Sequence, residues 1–186
     1  MIDDEEYRRR TEEAERAIGK FILQFAGVEL ALQYVLCEVT ELSLHWAKPV
    51  VTHDFALLCT AIETVFGEIL EDDPDDRARL KKFIKRARAF NDVRVKTVHG
   101  FWYGFGFGGI VAHTSRQTLR PKDMEGMVKI LADQTQAGRE LFAEALELTE
   151  KCQKRLGIEW GAVSQAFSDR AERLGLFKSV RQNKNF

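Results

Sequence analysis

Nine basic residues and a single acid, Asp92, lie between Arg77 and Lys96. Apolar residues recur through the same stretch at helical spacing: Leu80, Phe83, Ile84, Ala87, Phe90 and Val98. The pattern predicts a helix from Asp76 to about Val98. At 100° per residue, Lys81, Lys85, Arg88 and Lys96 fall on the side opposite the apolar one. Such a face is either merely solvated or tracks phosphates, and both readings stand at this point. The local excess is hidden in the total: Lys plus Arg is 28, Asp plus Glu is 29, and the formal net charge of the 186 residues is -1. Whole-chain charge thus gives no case for a nucleic-acid binder.

Two residues of the basic helix differ from the rest. Arg94 follows Ala87 by seven residues and Leu80 by fourteen, so it projects from the apolar stripe. His99 stands at the helix end, directly before Gly100, a helix terminator by residue type. On an ideal helix the two side chains point about 140° apart. Glu29 is a second ionisable group on an apolar stripe, in the first helix. It either lies at that helix's edge and reaches water, or is buried and needs a donor. Arg94 is its natural partner, since a bidentate guanidinium–carboxylate pair satisfies both charges.

Enzyme signatures are otherwise scarce. The chain has no His-Glu-x-x-His, no Cys-x-x-Cys and no Gly-x-Ser-x-Gly. His45, His53 and His113 are scattered and read as surface or packing histidines. Cys37, Cys59 and Cys152 are isolated, without metal-type spacing, and read as reduced packing residues. No metal and no cofactor is expected.

The elements that position these residues follow from periodicity. A first helix is expected from about Glu5 to about Leu44, with Ile18, Ile22, Phe25, Leu32, Leu36 and Val39 inward. Trp46 to Pro49 breaks it. Thr52 or Asp54 caps a second helix running to about Leu70. After the basic third helix, Phe101, Tyr103, Phe105 and Phe107 alternate as in a strand. Gly108-Gly109 suits a two-residue turn, with Ile110 to about Ser115 returning. The glycine-rich stretch fits neither nucleotide-binding fingerprint. Pro121 is placed as the first residue of a fourth helix reaching about Arg155 and closed by Gly157. A short helix is expected near Ala162 to Leu174, then a basic tail. The fold class is therefore mainly α: an antiparallel bundle of four long helices, a β-hairpin (about 101–115) between the third and fourth, and a short C-terminal helix. Residues 1–157 form one domain, and 158–186 the short helix and tail. The acidic N-terminus is no signal peptide, and no run of about 18 apolar residues suggests a membrane span. A cytoplasmic protein is expected.

The segment Arg94-Val95-Lys96-Thr97-Val98-His99-Gly100 resembles the Arg-x4-6-His motif of the HEPN superfamily (higher eukaryotes and prokaryotes nucleotide-binding domains). Arg94 to Trp102, as Arg-x-x-x-Val-His-Gly-x-Trp, is similar to a pattern in small bacterial proteins of that type, and Gly19 to Leu32 resembles their first helix. The likeness covers roughly residues 15–150. The chain departs from the pattern at Val95, where the family has a polar residue, often Asn, and at Phe101, where some members have Tyr.

The resemblance implies metal-independent RNA cleavage at a composite site in a homodimer. The 2′-hydroxyl would attack the adjacent phosphate, leaving a cyclic phosphate end. Arg94 and His99 are the catalytic residues it implies, His99 as acid or base and Arg94 on the phosphate. Glu29, Asn91 and Tyr103 are the supporting residues. Lys85, Arg88 and Lys96 would attract the RNA backbone, and Trp102, with Tyr103, would stack on an unpaired base. A toxin or phage-defence effector, with an antitoxin or other protein partner, is the biological role by family analogy. Two alternatives remain: a non-catalytic HEPN-like module binding RNA, a nucleotide or a protein, and a purely structural helical dimer.

Overall fold

The computed structural model describes residues 3–42, 51, 54–105, 108–114 and 121–158. Among them the chain is mainly helical, with four helices and one small antiparallel sheet. Helix α1 spans Asp4–Val39, α2 Phe55–Ile69, α3 Pro74–His99 and α4 Met127–Leu156. Strands β1 (Phe101–Tyr103), β2 (Ile110–Thr114) and β3 (Pro121–Met124) fall between α3 and α4 in the sequence and pair in the order β1-β2-β3. The expected short C-terminal helix and basic tail, and the expected break at Trp46–Pro49, lie outside the described residues.

Local chemistry accounts for the helix ends. Asp3 accepts from the Glu6 amide at 2.7 Å, and Asp4, Glu5 and Glu6 place negative charge in the first turn of α1, where the macrodipole favours it. Of the two expected caps of α2, Asp54 is the one used, accepting from the Leu57 amide at 3.0 Å. Helix α3 begins at Pro74, two residues earlier than expected. Asp73 caps it, accepting from the Asp75 and Asp76 amides at 3.1 and 3.0 Å, and Pro at the first helical position loses no bond. The Asp76 amide, with Arg155 nearby, holds the Asp73 carboxyl below its ordinary value. Helix α1 stops at Val39 rather than Leu44, because Glu41 turns left-handed (φ 53°) and the Leu42 amide reaches back to the Cys37 carbonyl at 2.9 Å.

The buried seam of α1 runs through Phe21, Phe25, Val28, Leu32, Val35 and Val39. Ile18 and Ile22 are only half-buried, so the seam is turned from its expected line. Glu29 then lies roughly 80° from the seam centre, at the helix edge, and is half-buried. The same helix contains no unbroken run of 18 apolar residues, yet it bears on membrane-length segments. One 18-residue window of α1 is long and apolar enough to cross a membrane by length and composition alone, and 44% of it is buried inside the protein.

Two further expectations about the middle of the chain are corrected. β1 pairs Phe101 with Ala112, Trp102 with Val111 and Tyr103 with Ile110. The connection therefore begins at Gly104 and is longer than a two-residue turn. Gly104 sits at φ 63°, Gly108 at 84° and Gly109 at 76°, so the first of these leaves extended backbone just after Tyr103. Pro121 does not open a helix. It begins β3, whose pairing with β2 runs from Thr114↔Pro121 to Val111↔Met124, as an edge strand tolerates Pro. The first turn of α4 takes its missing acceptors from the glycine loop: the Met127 amide donates to the Gly109 carbonyl and the Val128 amide to Gly108, each at 3.1 Å.

The chain forms two compact units, residues 1–26 with 89–138, and residues 27–88 with 139–186. In the first, Phe90 meets Phe21 edge-on (5.3 Å between centroids, 76°) and stacks on Phe25 (5.5 Å, 24°). Gly138 allows this approach, since a Cβ there would come 2.7 Å from Gln24 Cγ and 2.9 Å from Phe90 Cζ. In the second, Leu58, Ile62, Phe66, Phe83, Ile84 and Leu148 are fully covered. Arg79 binds Glu144 and Glu147, while Arg86 binds Glu140 at 3.1 Å and Glu144 at 2.8 Å. Cys37, Cys59 and Cys152 are free and buried. Burial pushes the Cys59 thiol up to about 11 and the Cys152 thiol to about 12, so both stay neutral and inert near neutral pH.

Gly100 is needed for room rather than for φ. A Cβ there would collide with Val111 Cγ1 and the Lys96 carbonyl oxygen. Gly100→Ala is expected to cost about 1–3 kcal/mol in urea unfolding. Gly19→Ala, where nothing lies within 4 Å, is expected to stabilise by about 0.5–1 kcal/mol.

Candidate functional site

The last turn of α3 is held by bonds to its own backbone. Thr97 is buried and its hydroxyl donates to the Val93 carbonyl at 2.8 Å. The Gly100 amide donates to the Lys96 carbonyl at 2.9 Å. The Trp102 indole N–H reaches back to the Thr97 carbonyl at 2.9 Å, so β1 is tied to the helix it leaves. The other face of that indole is taken as well: Phe105 lies parallel to it at 6.3 Å and 7°. Trp102 is half-buried. It was expected as a base-stacking residue, and here its polar edge and ring are spent on holding the turn.

His99 is exposed, and among the described residues no hydrogen bond or ion pair engages it. Arg94 is half-buried with its guanidinium carbon 5.5 Å from the Phe25 ring centroid, a cation–π contact. The Arg is thereby positioned by an aromatic face. Asn91 and Lys96 are half-buried on the same helix. These four residues belong to the first compact unit, as do Trp102 and Tyr103, while Glu29, Lys85 and Arg88 belong to the second.

The basic face divides. Arg88 is hydrogen-bonded to Glu63 at 2.9 Å and to Thr60 at 3.2 Å, so its charge is answered within the protein. Arg79 and Arg86 are likewise engaged by carboxylates of α4. Lys81, Lys82 and Lys85 are exposed and carry no ion pair among the described residues. The acidic residues that take up the arginines, Glu140, Glu144 and Glu147, stand at spacings of four and three. That spacing was a readable signal for a counter-charged helix face.

Tyr103, expected as a supporting residue, donates its hydroxyl to Asp123, and that bond, with partial burial and the charges of Asp123 and Glu125, raises its pKa above the ordinary 10. Phe101 was not among the expected site residues. It is 73% exposed and stacks on Tyr103 at 6.3 Å and 26°. The alternation of β1 carried the signal, since Phe101 and Tyr103 share one face and Trp102 takes the other. His113 is half-buried on β2. His45 and His53 lie outside the described residues. Among the described residues no group of three or more His, Cys, Asp or Glu is placed to hold a metal ion.

A cleft of about 400 Å³ lies in the same unit, lined by Arg9, Arg10, Glu13, Phe105, Gly108 and Lys129, among others. Both arginines are bonded to Glu6, at 2.8 and 2.6 Å, and those bonds pull the Glu6 carboxyl down to about 2. With its arginines committed, this cleft offers less to an anion than the end of α3.

No family profile, curated protein or solved structure matches the chain. The geometry of the site must therefore carry the functional argument.

Replacing Asp123 by Ala removes both the acceptor and the negative charge beside Tyr103. Its titration, followed by ultraviolet absorbance of the phenolate, is expected to fall back toward the ordinary value near 10. The sign follows from the raised value: the bond stabilises the folded chain below the unfolded pKa, and that contribution is lost as pH rises through the folded one.

Proposed function

We propose that this protein is a metal-independent endoribonuclease of HEPN type, built as an antiparallel helical bundle and working as a homodimer. The observation that carries the reading is the exposed imidazole of His99, unengaged among the described residues, in the last turn of a basic helix, with the guanidinium of Arg94 set against an aromatic ring five residues earlier. Imidazole is the side chain best suited to take and give a proton near neutral pH. A guanidinium is suited to hold a phosphate and to stabilise the charge added in its transition state. In the proposed reaction the 2′-hydroxyl loses its proton as its oxygen bonds to phosphorus, and the bond to the 5′-oxygen breaks. That oxygen leaves with a proton, and a cyclic phosphate remains. His99 serves as the acid or the base. Because Arg94 and His99 point about 140° apart on one helix, a second copy of the chain is needed to complete the pocket. Lys96 adds attraction to the RNA backbone that weakens with salt.

A second reading, a non-catalytic binding module, is favoured by Val95 beside Arg94 and by the arginines already paired within the protein. It expects His99→Ala to keep its RNA affinity, with no turnover in either form.

The test is incubation of the purified protein with single-stranded RNA in excess chelator. Wild type is expected to leave cyclic phosphate ends. His99→Ala and Arg94→Ala are expected to lose roughly 100-fold or more in rate with an unchanged urea midpoint for the exposed His99 variant. RNA left intact by wild type, or cut equally by His99→Ala, contradicts the proposal.

A further inference from the structure

The outer face of the sheet carries a feature that the cleavage chemistry does not use. Phe101 and Tyr103 point to the same side of β1, with Ile110 and Ala112 as their partners on β2 and Asp123 beyond Ala112 on β3. A phenylalanine 73% exposed is unusual. Here nothing tall stands beside it, because its neighbour across the ladder is Ala112. Its ring is stacked on Tyr103, and Tyr103 is in turn anchored through its hydroxyl to Asp123. The pair is thus an open and pre-organised aromatic surface. Val98, in the last turn of α3, is 47% exposed as well.

Charge along β1 is polar. At its α3 end stand Lys96 and His99, the basic residues of the last helical turn. Toward its Tyr103 end lies Glu125, next after Met124, the β3 partner of Val111, and close enough to act on the phenol, while Asp123 stands in the row of Phe101 and Ala112 and is taken up by the Tyr103 hydroxyl. A phosphate chain is attracted to the first end and repelled from the second. An aromatic surface between the two ends suits the flat, uncharged part of a nucleotide.

We propose that Phe101, braced by Tyr103, is the stacking platform for an unpaired base of single-stranded RNA, holding the strand with its phosphates toward Lys96 and His99. The inference rests on the nuclease reading for the identity of the strand. It replaces Trp102, whose ring and N–H are committed to the turn, and it names the substrate class as single-stranded rather than duplex RNA. Stacking of this kind is available to every base, whereas a duplex keeps its bases paired and offers no free face.

The experiment uses the full chain and a fluorescent single-stranded oligonucleotide with 2′-O-methyl sugars, which lacks the attacking hydroxyl and so reports binding apart from cleavage. Its duplex form serves as the competitor. Wild type is expected to prefer the single strand, Phe101→Ala to bind it roughly ten-fold or more weakly, and Phe101→Trp to retain affinity. Cleavage of ordinary RNA is assayed alongside. If wild type cuts RNA while Phe101→Ala binds the probe as tightly as wild type, the platform is wrong and the nuclease reading stands. If no form cuts RNA but single-strand binding depends on Phe101, the platform stands without the nuclease. If wild type does not bind the probe, the platform is wrong. Sedimentation of both forms covers the remaining occupant: a fall in mass on Phe101→Ala assigns the patch to contact between copies of the chain and overturns the proposal.

Discussion

At position 100 the end of α3 and the middle strand of the sheet approach so closely that only a hydrogen atom fits between them. The space is closed on one side by Val111 and on the other by the Lys96 carbonyl. Everything of functional interest hangs from this contact. It stops α3 one residue after the exposed imidazole, turns the chain directly into β1, and so fixes Phe101 and Tyr103 within a few residues of His99. The Trp102 N–H on the Thr97 carbonyl locks the same junction from the opposite face of β1. A helix that frayed here would leave a histidine on a loose end, whereas this junction keeps it on a rigid one.

The cations of α3 fall into kinds that their sequence run does not distinguish. Arg79, Arg86 and Arg88 each meet a carboxylate. Exposed pairs of this sort contribute little each, and their collective effect is to set which faces of α3, α2 and α4 oppose one another within the second unit. The lysines at 81, 82 and 85 are exposed and meet no carboxylate among the described residues. Arg94 is half-buried and forms no ion pair among the described residues, and its flat guanidinium rests on an aromatic ring. That contact holds the group without neutralising its charge.

Much of this was legible in the amino-acid order. Helical periodicity gave the four helices, Asp54 was one of two caps foreseen for α2, and the alternation after Gly100 announced extended chain. The misses have physical causes. Periodicity tolerates a rotation of the seam, so the inward line of α1 was drawn through Ile18 and Ile22 and carried Glu29 with it. Glycines at 104, 108 and 109 all adopt positive φ, yet nothing in the sequence ranks them, so the turn was assigned to the last two alone. Pro121 is equally acceptable at a helix start and on an edge strand. Trp102 and Phe101 are both aromatic, and only the pleat and the indole bond separate the ring tied to the helix from the exposed one. The pairing of Arg88 depends on a residue 25 positions away, beyond the reach of any local pattern.

The central claim is that the imidazole of His99 meets a phosphodiester held by Arg94. Nuclear magnetic resonance of the four histidine side chains, during titration with a non-cleavable dinucleotide, addresses it most directly. The account predicts a saturable change at the His99 ring signals that disappears in Arg94→Ala while the other three histidines stay still. Histidine 99 signals unmoved at ligand concentrations that saturate the protein would contradict it.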